Sequence, residues 1–250
     1  MSDPVRPAAN LLSQKPIPPA ERLIVALDVD GASEAEALVE RLGDSVQFYK
    51  LGLQLFMSGG YFELVDRLKK LGKRVFVDLK FFDVPETVGS AVRQLAKRDV
   101  DFATVHGNDS ILQAAVKQRG KIEILAVTAL TSLDRGDIQS LGFQCDVEEL
   151  VLSRARRALE LGCSGVISSG LEAPRLRAEL GPRLLVVAPG IRPVDNRASD
   201  DQKRTVDVAT AFKNGADYIV VGRPIRSAAD PAEEARGVQK TIAELFSSPA

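Results

Sequence analysis

Cysteine, histidine and net charge are all scarce in this chain, and each scarcity removes a class of function. Only two cysteines occur, Cys145 and Cys163, 18 positions apart and without CxxC spacing. They cannot staple a small secreted domain or build a zinc site, so a reducing, cytoplasmic compartment fits. The net charge of −1 gives no electrostatic attraction toward nucleic acid or an anionic membrane. The one histidine, His106, has no GxSxG to accompany it in a Ser-His-Asp triad and reads as a strand-end residue bonded to backbone. No HExxH or carboxylate–histidine cluster points to a transition metal, whereas magnesium needs fewer protein ligands and stays open. No stretch approaches a membrane span. The first 20 residues, MSDPVRPAANLLSQKPIPPA, hold five prolines and no long apolar run. That excludes a standard signal peptide and reads as a flexible arm, residues 1–20, ahead of a single domain at 21–250.

What is present is a repeat. From residue 22, short β-branched runs alternate with amphipathic stretches. The runs at 23–29, 46–52, 74–80, 101–107, 122–130, 165–170, 184–190 and 217–223 are predominantly apolar, as strands buried on both faces are. Between them, segments such as YFELVDRLKK, VEELVLSRARRALE and APRLRAEL place apolar residues three and four apart, the helical period. Ser33 and Glu36 have the spacing of a capping box. Gly43, Gly72, Gly120, Gly162, Gly181 and Gly215 fall where helices should end. Eight strand–helix units in 250 residues predict an α/β fold, a (β/α)8 TIM barrel. An open doubly wound sheet is the alternative, but LDVDGASEAE after the first strand has no dinucleotide fingerprint.

Chemistry in such a barrel sits at the C-terminal strand ends. Those ends carry Asp28, Lys50, Asp78, Lys80, His106, Thr128, Thr131, Ser168, Ser169, Arg192, Gly222 and Arg223. For Thr128, Ser168 and Ser169 the plain reading is a hydroxyl satisfied on nearby backbone. The stretch VFVDLKFFDVPETV (75–88) is different. Asp78 and Lys80, two apart on a strand, share a face, while Val77 and Leu79 point toward the helices. Burying charges costs several kcal/mol even after relaxation, so a purely structural ion pair is a poor use of the barrel mouth. Lys50 and Asp83 extend the pair to an alternating set, plus, minus, plus, minus, which favours a functional site. Lys80 then serves as cation, proton donor or Schiff-base amine.

A second constellation follows strands seven and eight. VAPGIRP (187–193) and VVGRPI (220–225) each set a glycine beside an arginine, at the usual phosphate site of this fold. Glycine lets backbone N–H groups approach, and arginine clamps an anion bidentately. The polar stretch 194–204 between them is either a solvated loop or a lid, and Gln202 within it is placed to reach phosphate or base.

DLKFFDVPETV resembles the DxKxxD(I/V)PxTV signature of the orotidine 5′-monophosphate decarboxylases. VALDVD, YKLG, TVHG, VTALTS, APGIRP, SDDQKR and YIVVGRPI stand in that family's order, over roughly residues 22–232, closest to the bacterial type. The resemblance implies a barrel that uses no cofactor and no metal and works as a homodimer. It implies Lys80 as the proton donor to C6 of the pyrimidine, Asp78 beside the leaving CO2, and Lys50 bonding ribose and Asp78. Asp28 becomes the ribose-binding carboxylate, and Asp83 and Thr87 become contacts to the partner's site. Thr131 would read the pyrimidine edge, and Arg192, Gln202, Gly222 and Arg223 the phosphate side. Phe81 and Phe82 are bulkier than the signature and read as packing at the mouth or the dimer seam.

The implied reaction gives the charges a purpose. Loss of CO2 from C6 leaves electrons in the ring plane, outside the π system, so fixed electrostatics must stabilise them. Two alternatives stand beside this reading. Sugar-phosphate decarboxylases and hexulose-phosphate synthases share the barrel and the DxKxxD pattern but use Mg2+; Pro85 and Thr87 favour the pyrimidine enzyme. A phosphometabolite-binding barrel without activity is the other, and the intact charged set argues against it.

Overall fold

Apolar runs covered on both faces condense into parallel strands. In the computed structural model, which describes residues 11–192 and 205–247, the strands are β1 (Leu23–Ala26), β2 (Phe48–Gly52), β3 (Arg74–Phe81), β4 (Phe102–His106), β5 (Glu123–Val127), β6 (Gly165–Ile167), β7 (Leu185–Ala188) and β8 (Tyr218–Val221). Each pairs in parallel with the next, and β8 pairs with β1 to close a barrel. The helices are α1 (Ala32–Leu42), α2 (Leu53–Met57), α3 (Tyr61–Lys70), α4 (Pro85–Leu95), α5 (Asp109–Gln118), α6 (Arg135–Ser140), α7 (Val147–Glu160), α8 (Ala173–Leu180), α9 (Val208–Lys213), α10 (Arg223–Arg226) and α11 (Pro231–Phe246). The chain is a (β/α)8 TIM barrel, as the repeat predicts.

Side-chain alternation divides the core in two. Val25, Tyr49, Val77 and Ala103 point outward and pack with Leu38, Val65 and Val92 of the helices. Ile24, Phe48, Phe76, Phe102, Leu125 and Val220 fill the barrel interior. Lys50 and Asp78 lie two residues beyond Phe48 and Phe76, so the same alternation carries them to the mouth.

Most strands stop short of their apolar runs: 23–29 ends at Ala26, 122–130 at Val127 and 184–190 at Ala188. The residues beyond leave the ladder and build the rim. All six glycines expected at helix ends have positive φ. The capping box expected from Ser33 and Glu36 does not form. Gly31 is the N-cap, Ser33 lies inside α1, and Glu36 pairs with Arg67. Glu34 instead accepts from the Asp30 N–H at 3.2 Å. α11 was not among the expected helices, although Asp230 caps it and Ala235 and Ile242 mark its buried face.

Residues 11–20, read from sequence as part of a flexible arm, lie against the floor of the barrel. Ile17 packs beneath the inner core. Ser13 and Lys15 donate to the buried Asp217 carboxylate at 2.5 Å and 3.0 Å, and Arg177 donates to it at 2.6 Å.

Candidate active site

Three neighbouring strands set the centre of the site. Lys50 of β2 is buried, and its Nζ lies 3.0 Å from Asp28 Oδ1 and 3.5 Å from Asp78 Oδ2. Lys80 Nζ donates to Asp78 Oδ1 at 2.9 Å. Asp28, in the loop after β1, Lys50, Asp78 and Lys80 thus alternate in sign across the mouth. The predicted set had Asp83 as its fourth member. In the structure Asp28 takes that place, and Asp83 stands apart, exposed, with its carboxylate accepting from the Val84 N–H at 2.6 Å. Val84 is extended (φ −57°, ψ 148°), as a residue before proline should be, and Pro85 opens α4. Thr87 is exposed in the first turn of α4. Neither Asp83 nor Thr87 lines the cavity of its own chain.

Burial works against charge at Asp78. Lys50, then Lys80, with hydrogen bonds from Lys80 and Thr104, outweighs it and holds the carboxyl below its ordinary value. Lys50 is the mirror case: burial lowers it, but Asp78 and Asp28 together hold its ammonium above the usual range.

Asp78 and Lys80 meet by a route that alternation alone does not supply. The register between β3 and β4 shifts between Val77 and Phe81, and Lys80 has φ 48°, rare for a residue with a side chain. The Lys80 N–H donates to Thr104 Oγ1 at 2.9 Å, and that hydroxyl donates to Asp78 Oδ1 at 2.9 Å. Sequence reading missed Thr104 because it surveyed strand ends, and Thr104 lies within β4.

The charges face a cavity of about 350 Å3. Ala26, Phe76, Val127, Ile167 and Val220 form its apolar floor. Its walls bring together Thr131, Gly190, Arg192, Gly222 and Arg223 from the predicted set. Gly190 has φ 79°, a conformation that favours glycine. Arg226 also lines the wall, its Nε buried without a hydrogen-bond partner among the described residues; nothing in the sequence singled it out. Gly52 is a further residue missed, since a Cβ there would lie 3.1 Å from Asp28 Oδ1 and 3.2 Å from Lys50 Nζ. Gln202 and the segment 194–204 lie outside the described residues.

The remaining rim residues follow the plain reading in part. Thr128 donates to the Ile167 carbonyl, and Ser169 Oγ accepts from the Leu171 N–H. Ser168 donates to the Glu172 side chain instead of backbone. His106 pairs with the Asn108 side chain at 3.3 Å, not with backbone, and stacks on Phe82. Among the described residues no group of three or more His, Cys, Asp or Glu is arranged to hold a metal ion.

The family model for orotidine 5′-phosphate decarboxylase / HUMPS matches residues 21–238. The chain belongs to that family. The orotidine 5′-phosphate decarboxylase of Methylococcus capsulatus is 67% identical over 239 residues, 96% of this chain and 99% of that protein. Its counterpart in Xanthomonas euvesicatoria is 52% identical over 235 residues, 92% of this chain and 96% of that protein. Among solved structures, the orotidine 5′-phosphate decarboxylase of Lactobacillus acidophilus superposes with a TM-score of 0.79 at 33% identity, covering 89% of this chain and 99% of that one. The matched span, residues 21–238, includes strand β3, both glycine–arginine rims and every residue that lines the cavity.

Proposed function

We propose that the chain decarboxylates orotidine 5′-phosphate to uridine 5′-phosphate in pyrimidine biosynthesis, without a cofactor. The observation that carries this reading is the Lys50–Asp78–Lys80 array facing the cavity in a chain of this family. Lys80 is the proton donor. Its ammonium stabilises the carbanion at C6 as CO2 leaves and then protonates it. Asp78 fixes that ammonium and lies beside the substrate carboxylate; Lys50 holds Asp78 from the other side. Asp28 bonds the ribose, and Thr131 reads the pyrimidine edge. Arg192, Gly222 and Arg223 grip the phosphate, with the Arg226 guanidinium on the same wall. Gln202 belongs to the phosphate side in this reading. Phosphate binding far from C6 supplies energy that is realised in the transition state, which a reaction with so poor a carbanion needs.

The working unit in this proposal is a cytoplasmic homodimer in which Asp83 and Thr87 complete the partner's site. The exposure of Asp83 outside its own cavity supports that placement, as do the exposed apolar side chains of Phe82 and Val84 on either side of it. Leu53 and Met57 of α2, the helix that follows β2, add further exposed apolar surface. Both cysteines are free, consistent with a reducing compartment.

Incubation with orotidine 5′-phosphate in EDTA, following loss of the orotate absorbance, tests the reading. Turnover undiminished by EDTA is expected. Turnover that needs added Mg2+ and a sugar phosphate would place the chain with the metal-dependent enzymes of the fold.

A further inference from the structure

We infer that Thr104 is a positioning residue for the decarboxylation: its hydroxyl holds the distorted end of β3 that presents Lys80 and orients the Asp78 carboxylate. The inference rests on the function proposed above. Thr104 points into the barrel by simple alternation, between Phe102 and His106 on β4, and is fully buried. A buried hydroxyl needs partners, and it offers one donor and two acceptor positions. Here it accepts from the Lys80 N–H and donates to Asp78 Oδ1, both at 2.9 Å.

The need for such a group follows from the backbone. Val77 pairs with Ala103 and Phe81 with Val105, so four steps along β3 match two along β4. Such a bulge takes residues out of the ladder and re-aims a side chain. Lys80 has left-handed φ, which is strained for a residue with a Cβ and persists only where its surroundings impose it. Its N–H bonds the Thr104 hydroxyl.

The same hydroxyl fixes the carboxylate. Thr104 and Lys80 Nζ converge on Oδ1, while Lys50 faces Oδ2. Asp78 is therefore held at both oxygens, and Lys80 is held at both ends, its backbone by Thr104 and its ammonium by Asp78. A valine would fill the same volume and keep the packing while removing both bonds, so packing does not explain a threonine here.

The experiment compares wild type, Thr104→Val and Thr104→Ser with orotidine 5′-phosphate, together with hydrogen exchange of the Lys80 amide. A small misplacement of a reacting group costs on the order of a hundredfold, so Thr104→Val is expected to lose about that much in kcat with KM within about threefold of wild type. Thr104→Ser keeps the hydroxyl and should restore most of kcat. The Lys80 amide should exchange slowly in wild type and Thr104→Ser, and faster in Thr104→Val. A Thr104→Val kcat within about threefold of wild type, or a Thr104→Ser kcat as low as that of Thr104→Val, would overturn the inference. So would a Lys80 amide that exchanges in wild type like an unbonded surface amide, a measurement that needs no valine variant to fold. Wild type inert on orotidine 5′-phosphate but with a protected Lys80 amide would refute the proposed function and leave the hydrogen bond standing.

Discussion

Asp78 shows how charge can be kept inside a barrel. Burial alone would drive its carboxyl toward the neutral form, and Lys50 is the largest of the groups that reverse this. Because the folded value is depressed below the ordinary 3.8, the ionised carboxylate contributes stability above that pH and loses it as pH falls through the folded value. Lys50 has the opposite sign: raised above the ordinary 10.5, it contributes below that pH and loses the contribution as pH rises through its folded value. The pair is thus charged across the whole neutral range. Lys50→Met keeps most of the apolar stem and removes the cation. The Asp78 carboxyl should then titrate at higher pH, read by carbon-13 NMR of its side chain, and an unchanged titration would show that Lys50 does not hold it. The pairing of Asp78 with Lys80 was legible from their spacing, which assigns both to one face of a regular strand, although the structure brings them together across a bulge. The bulge between them was not, because nothing about lysine as a residue type favours left-handed backbone. Thr104 escaped for a related reason: threonine is a common strand residue, and only the bulge reveals what its hydroxyl does.

Elements place the proposed phosphate side. β7 and β8 end early, and the residues that follow, Gly190 with Arg192 and Gly222 with Arg223, turn onto the cavity wall. Their sequence spacing made this legible, since loops after strands seven and eight form the usual phosphate site of the fold. The short helices α2, α6 and α10 were not legible, because five, six and four residues hold too little periodicity to be read. If Arg223 acts on the phosphate, its contribution should depend on the phosphate being there. Arg223→Ala is expected to lower kcat/KM strongly for orotidine 5′-phosphate and hardly at all for the unphosphorylated nucleoside. Parallel kinetics on the two substrates check this, and equal losses would place Arg223 in another role.

At the scale of the molecule the two ends of the barrel do different work. The floor is tied by Asp217, fully buried, which receives Ser13, Lys15, Arg177 and the Val186 N–H. Removing one partner of a buried ionic cluster leaves the others uncompensated, so Asp217→Ala should lower the unfolding free energy by about 3–5 kcal/mol, measured in urea, with the mouth and its kinetics largely spared. At the mouth the proposed function calls on a second copy. In the proposed dimer each site takes Lys80 from one subunit and Asp83 from the other. The geometry of one chain motivates this, because Asp78 and Lys80 face the cavity while Pro85 sends the chain outward and leaves Asp83 on the surface. Lys80→Ala and Asp83→Ala proteins should then each be nearly inactive alone. In a mixed dimer one site contains both lesions and the other contains neither. With random exchange about half the dimers are mixed and each has one intact site, so activity should recover to about a quarter of wild type per site. The measurement is turnover after verified subunit exchange, with each variant alone as the baseline. Activity that stays at that baseline would put Asp83 to work in its own chain, or in no site at all, and the outward path of the loop would then need a reason other than a shared active site.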